Sequence, residues 1–576
     1  MEYKWTVLTN TTLGITMAMI NSSVLIISLP AIFRGIGLNP FAPSSFDYLL
    51  WLLMGYGVVT SSLVVSFGRL SDAYGRVRMY RLGFLIFTVG SVLLSVTFGR
   101  GSLAAAELIA FRMVQAVGAA LLMANSAALI TDAFPLSERG RALGINQVAG
   151  MVGNLVGLVL GGVLATFNWR LVFLISVPFG VAGTVWSYMK LRDVRLPRQS
   201  TKVDVAGNVV FIAGVVSILA GITYALEPYG GQLMGWTSPR TLTLMGVGAA
   251  LLATFPLIEM RVSEPMFKLE LFRSRQFTFG LIAALLAGLA LGGLMITLTI
   301  MLQGIWLPLH GYSFSSTPFW AGVYMLPMMV GFVTMGPISG ALSDRYGARG
   351  IASLGLGVVL VSLSLIAALS YNFPYLEFAF AIFLTGVGNG MFVAPNTASI
   401  MNSVPPEDRG VASGMRSVMT SVANTVSIAM YFSLLLSAFA QRLPSALYSS
   451  LLSAGFPQQL AALISKMPPT AALFAALLGY NPMEVVLRQL PPSVISQLES
   501  SDPVAISDVL SRYWFPRTIA GPFMYALRIT LLVSAGLVTV AVVASLMRGG
   551  KAYHERAVEV ITGTASVDQG ARGRAP

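Results

Sequence analysis

Residues 68–76, Gly68-Arg69-Leu70-Ser71-Asp72-Ala73-Tyr74-Gly75-Arg76, recur as Gly340-Ala341-Leu342-Ser343-Asp344-Arg345-Tyr346-Gly347-Ala348. Each copy sits between two apolar runs long enough to cross a bilayer. A second pair lies further on: residues 117–146 align without a gap on 387–416, matching Pro135 with Pro405, Arg139 with Arg409, Gly140 with Gly410 and Gly144 with Gly414. Turns repeated in this way imply two similar halves in the same orientation. Many secondary transporters are organised so, with the substrate site near mid-membrane between the halves.

Composition supports a polytopic membrane protein. Of 576 residues 55% are hydrophobic and 10% are charged, against about 25% charged in soluble domains. The net charge of +13 is gathered in short loops between apolar runs, so it is an orientation signal and not a nucleic-acid footprint. There are no cysteines, which excludes disulfides and thiolate chemistry, and the two histidines, His310 and His554, are too few for a metal site or a histidine relay. No cofactor is expected. The first apolar run, about 6–33, is too long for a signal peptide and reads as a span.

Fourteen runs are long enough to span. Alternate loops carry Arg69, Arg76, Arg78, Arg81, Arg139, Arg141, Lys190, Arg192, Arg261, Lys268, Arg273, Arg345, Arg349 and Arg409, whereas the opposite short loops hold Arg34, Arg100, Arg170 and Arg240. This asymmetry places both termini in the cytoplasm, in a multi-pass protein of the cell membrane. The expected architecture is all-α: a six-helix bundle over 1–190, a linker with an inserted helix pair over 191–275, five helices of a second bundle over 276–440, an extracellular insert at 441–518, a last span at 519–547 and a cytoplasmic tail at 548–576. The Pro-punctuated insert reads as a cap of short amphipathic helices, since its apolar stretch 470–480 is too short to span. The tail has the composition of a disordered segment.

The repeated turn carries the first candidate site: Gly68, Asp72, Gly75 and Arg76 in one half, Gly340, Asp344, Arg345 and Gly347 in the other. Glycines let helices approach closely, Asp72 can face a helix N-terminus, and Arg76 can pair with a carboxylate. Such contacts would hold a cytoplasmic gate shut. One copy would read equally well as a turn with surface charges; two copies at helix–loop boundaries do not.

These residues resemble motif A of the major facilitator superfamily. Arg112-Met113-Val114-Gln115-Ala116-Val117-Gly118 is similar to motif B, Trp169-Arg170 through Gly180 to the segment opening the sixth helix, and Glu264-Pro265 through Arg273 to the loop before the ninth helix, in the fourteen-helix drug:proton antiporter branch. The resemblance implies alternating access, efflux of lipophilic or amphiphilic small molecules and a coupling proton. Two positions depart from that pattern. The branch places an Asp in helix one ahead of Leu-Pro; here Asn21 stands there, and an amide carries no proton. Its helix-five motif has a Gly-Pro, and here Leu158 replaces the Pro while Gly153, Gly157, Gly161 and Gly162 remain as a close-packing face.

Glu107, Glu227 and Glu377 lie near outer helix ends and read first as interfacial groups. Arg112, Arg416 and Arg528 reach deeper, and a charge at mid-helix costs at least about 2.5–3.5 kcal/mol unless compensated. Arg112 is therefore a candidate cavity residue, with carbonyls or Asn21 as partners. Amides inside apolar helices, Asn125, Asn146, Gln147, Gln303, Asn389, Asn396 and Asn424, each need a hydrogen-bond partner. Singly they read as helix ties; as a set divided between halves they can line a site. From these the candidate substrate and coupling residues are Asn21, Arg112, Gln115, Asn125, Gln147, Tyr324, Asn389 and Asn396, with Tyr56, Trp306, Trp320 and methionines as apolar walls.

The reading is an exporter of drug-like molecules that works as a monomer, with protons as the family's coupling ion and no nucleic-acid partner. A facilitator or symporter of another small solute, and a non-transporting receptor that binds a partner through 441–518, are the alternatives. No P-loop, Ser/His/Asp cluster or metal-ligand spacing suggests an enzyme.

Overall fold

A run of about twenty apolar residues in lipid satisfies its peptide groups as an α-helix. In the computed structural model, which describes residues 2–38, 45–192, 204–262, 267–405, 408–478, 481–488 and 503–548, fourteen helices are long and apolar enough to span. The first half comprises α1 (Tyr3–Ile36), α2 (Ser45–Tyr74), α3 (Arg76–Ser95), α4 (Gly101–Ala133), α5 (Leu136–Phe167) and α6 (Leu171–Lys190). α7 (Val205–Ala225) and α8 (Pro239–Glu259) are the inserted pair. The second half contains α9 (Arg275–Leu309), α10 (Thr317–Ser343), α11 (Ala348–Ala368), α12 (Tyr375–Asn402) and α13 (Arg409–Ser453). Four short helices follow, α14 (Gln458–Ile464), α15 (Pro469–Leu478), α16 (Met483–Arg488) and α17 (Pro503–Leu510), before the last span, α18 (Trp514–Leu546). Most of the linker 191–204 and of the tail lies outside the described residues.

The packing order repeats. α1 lies on α4 and α5, α2 on α4, and α3 on α4 and α6; correspondingly α9 lies on α12 and α13, α10 on α12, and α11 on α12 and α18. α18 thus completes the second bundle although the insert separates it in sequence. The halves meet along α2 against α13 and α5 against α10. The inserted pair packs on itself through glycines: a Cβ on Gly248 would lie 2.8 Å from Ile218 N, and one on Gly221 2.8 Å from Met245 Cγ. Its α7 rests on both α2 and α13, bridging the halves.

The repeated turns have matching backbones. Gly75 has φ 104° and Gly347 φ 86°, each ending one helix and starting the next without a linker. A side chain at either position would be strained.

Two features depart from the sequence expectation. The helix expected to stop near 440 continues to Ser453 with Pro444 inside it. The insert is not simply an amphipathic cap: the seven residues Ala472–Leu478 of α15 are all buried. Beside it α9 is interrupted by a π turn over Leu302–Trp306, where Leu307 N–H reaches back five residues to Leu302 O. Pro308 explains the widening, because it has no N–H and its ring crowds the carbonyl four residues back.

Candidate functional site

The apolar interior of the first half holds one connected polar network. The Arg112 guanidinium on α4 donates through Nη1 to Asn21 Oδ1 at 2.9 Å and to Gln115 Oε1 at 2.6 Å, and through Nη2 to the Asn21 carbonyl at 3.0 Å. It lies 4.4 Å from the centre of the Tyr56 ring on α2. Asn21 Nδ2 donates to Ser176 Oγ on α6 at 2.5 Å, and Gln115 Nε2 to Ser91 Oγ on α3 at 2.8 Å. Arg112 is 2% exposed and Asn21 and Gln115 are fully buried. Five helices therefore converge on one cation.

Local sequence explains the placement. Gln115 follows Arg112 by three residues, so both side chains share one face of α4. The small residues Gly90 and Ser91 let α3 come close enough for a Cβ on Gly90 to fall 2.8 Å from Gln115 Cα. α1 is held by the glycine face of α5: a Cβ on Gly153, Gly157 or Gly161 would lie 2.7, 2.6 or 2.8 Å from a carbonyl oxygen of Thr16, Ile20 or Val24. Gly162 turns the other way, toward Phe319 Cα of α10, and so serves the contact between halves.

Neutral dipoles compensate the Arg112 charge. Among the described residues it forms no ion pair, and its Nε has no hydrogen-bond partner. The other predicted cavity residues lie apart from this network. Asn125 Nδ2 returns to Leu121 O on its own helix, and Gln147 is exposed on α5 while its neighbour Asn146 accepts from Ser126 Oγ. In the second half Asn396 Nδ2 reaches Gly280 O on α9 at 3.3 Å and leaves Oδ1 unpartnered, whereas Asn389 is half-buried on α12. Gln303 of α9 crosses between halves to the Ile27 carbonyl of α1. Tyr324 joins an aromatic cluster with Trp306, Tyr312, Trp320 and Tyr375 at the insert-side end of the second half, its hydroxyl 2.7 Å from that of Tyr312.

At the motif side Arg76 forms an ion pair with Asp132 of α4 at 2.6 Å. The side chains of Asp72 and Asp344 lie outside the described residues; Gly68 and Gly340 have open space around them, and Arg345 stacks on Tyr346. Two further ion pairs repeat between halves. Lys4 bonds Glu138 at the start of α5, and Lys268 bonds Asp408 at the start of α13. Glu138 and Asp408 are aligned in the second sequence repeat, but the lysines are not, so only the fold reveals the correspondence.

The carboxylates near the insert-side helix ends are accounted for locally. Glu107 accepts from the backbone N–H of Phe98 and Gly99, both at 3.1 Å, and Glu377 is exposed. Arg528 donates to the carbonyls of Ala367 and Leu369, closing the end of α11. A cleft of about 590 Å³ at the insert-side face is lined by Arg34, Asn168, Arg170, Ser315 and Ser316, and none of the sequence candidates lines it. Sequence reasoning missed Ser91, Ser176 and Asp132; small polar residues in apolar helices were the available signal.

The model of the Major Facilitator Superfamily matches residues 11–319 and again 281–549. The chain belongs to this superfamily. It is 30% identical to the riboflavin transporter RibZ of Clostridioides difficile over 77% of this chain and 90% of that protein. It is 28% identical to the multidrug resistance protein Stp of Mycobacterium tuberculosis over 74% of each chain. A bacterial homolog of the human lysosomal transporter Spinster, solved in an inward-facing and unoccupied conformation, shares the fold with a TM-score of 0.52 and 16% identity, covering 96% of this chain and 99% of that one. As a member of the superfamily the chain is a membrane transporter, and Arg112 is a buried cation of its first half; Arg548, just after α18, is equally buried at 2% exposure.

Proposed function

We propose that this transporter exports lipophilic or amphiphilic small molecules from the cytoplasm by alternating access, as a monomer, with both termini and the repeated glycine turns on the cytoplasmic side. The observation that carries the reading is architectural: two bundles of the same packing order meet along α2–α13 and α5–α10, an arrangement that can rock about a central site. A relative named for multidrug resistance supports the substrate class. We assign the site to Asn21, Arg112 and Gln115 in the first half and to Asn389 and Asn396 in the second, with the repeated turns as the inner gate. Coupling to protons is weak, because Asn21 is an amide and Arg112 is matched by neutral acceptors.

The test is transport by purified protein in liposomes across a panel of dyes and drugs, with and without an imposed pH gradient. Gradient-insensitive transport of amphiphiles is the expected result. A second reading, uptake or facilitated movement of a polar heteroaromatic solute, rests on the likeness to the riboflavin transporter. Riboflavin movement in the absence of any dye transport would select it.

A further inference from the structure

The bent helix pair of the insert reaches further into the protein than an external cap needs to. α14 and α15 are bent by 77° at the break between them. α15 carries no charged or strongly polar side chain between Ala471 and Leu478, and it lies buried across the outer end of the bundle. It touches α1 and α2 of the first half, and α9 and α13 of the second. Phe474 meets Phe33 of α1 with ring centres 5.5 Å apart. On the other side the fit is made backbone to backbone: a Cβ on Gly304 would lie 2.4 Å from the Ala476 carbonyl oxygen. Gly304 sits inside the π turn of α9, a kind of irregularity often found at functional positions.

The two sides of this contact differ in kind. Toward the second half α15 is seated on a glycine, and it follows α13 along the chain after a continuous helix that runs to Ser453. Toward the first half it offers an aromatic side-chain contact, which can separate without moving backbone. Alternating access requires the halves to part at the outer face. With α15 touching both, they part there only when α15 leaves one of them.

We propose that α15 is the outer gate of this transporter, and that Phe474 is the residue that closes it by seating on Phe33. α15 travels with the second half, and the Phe33–Phe474 contact breaks when substrate is released outward. This inference rests on the transport reading above. Burial of Phe474 and of its leucine neighbours favours the closed state. The driving force of transport must therefore reopen the gate in every cycle.

The chain contains no cysteine, so introduced thiols are unambiguous. In the full-length double variant Phe33→Cys/Phe474→Cys, a short thiol-specific bifunctional reagent that reductant can cleave would tether α1 to α15. Loss of transport on cross-linking, and its return on reduction, is expected. The double variant Ser353→Cys/Ser545→Cys, whose parent hydroxyls are 2.8 Å apart within the second half, should keep its transport when oxidised. In the single variant Phe474→Cys, an impermeant thiol reagent added outside should label faster during turnover than at rest. Transport that survives the Phe33–Phe474 tether, or labelling that turnover leaves unchanged, overturns the gate. Absence of transport by the cysteine-free parent instead overturns the transport reading, so the two failures are distinguishable.

Discussion

Both ends of the Asn21 amide are engaged: its oxygen accepts from Arg112 and its nitrogen donates to Ser176. A carboxylate at this position would face the guanidinium as an ion and would lose the donor to Ser176. It would also be able to take up and release a proton. The expected outcome for Asn21→Asp is a transporter whose liposome flux rises with an imposed proton gradient, where the parent's does not. Equal gradient dependence in both would remove Asn21 from the coupling argument. Arg112→Ala leaves buried acceptors on Asn21 and Gln115 without a donor, at about 1–3 kcal/mol, and lowers thermal stability together with flux. At the insert-side face, burial pushes the Glu227 carboxyl up to about 7, helped by nearby Asp47 and opposed by Arg240. Since the raised value belongs to the folded protein, the stability this group contributes is complete below its ordinary value of 4.5 and is lost as pH rises through about 7. Protection from hydrogen exchange in 226–238, taken relative to the intrinsic base-catalysed rate at each pH, should be lower at alkaline than at mildly acidic pH, and Glu227→Gln should abolish the difference.

At the scale of the element, the seam between α1 and α5 shows why a glycine series was legible in the sequence while its purpose was not. Lipid tails are as apolar as the side chains, so helices associate in a membrane by close packing, which small residues permit. Gly153, Gly157 and Gly161 present one face to α1. Gly157→Leu drives a side chain against the Ile20 carbonyl and the Ser23 hydroxyl. It should cost about 1–3 kcal/mol, seen as a lowered melting temperature in detergent. Gly144, on the same helix with open space around it, should accept Ala with little change; comparable losses at both positions would refute the seam. The interruption of α9 has its cause in Pro308 and was visible as a residue, but its consequence, a widened turn against which α15 lies, depends on a segment remote in sequence.

For the whole molecule the central question is orientation. The proposed topology, drawn from the basic loops, has the Gly68–Arg76 turn inside and the insert outside. Single cysteines in the otherwise cysteine-free chain report it directly. Ser315→Cys, at the insert-side face, should react with an impermeant reagent on intact cells, and Arg78→Cys only after permeabilisation. The reverse pattern would invert the proposed direction of export. The Arg76–Asp132 pair joins the motif-side ends of α3 and α4, and the aligned residues of the second half, Ala348 and Asn402, form no such ion pair. Arg76→Ala and Asp132→Ala should therefore impair transport to a similar degree, without an additive loss in the double variant. Additive losses would show that the two act separately.

Periodic hydrophobicity, repeated glycine turns and loop charge lie in short windows of sequence. They determined the fourteen helices and the two halves and singled out Arg112 as a buried charge, because membrane insertion and backbone satisfaction are decided one segment at a time; the burial of Arg548 was not read from the sequence. The Arg112–Asn21 contact was foreseen since only a few polar groups exist in apolar helices to compensate one another. Which amides would be buried was not legible: Gln147 and Asn146 are neighbours in sequence, both stay out of that network, and only the rotation of α5 against α1 and α4 exposes one and buries the other. The tertiary structure alone decided that α15 is buried across both halves. A ten-residue apolar segment cannot span a bilayer or remain in water, and what covers it is set by the surfaces that four distant helices bring to one place.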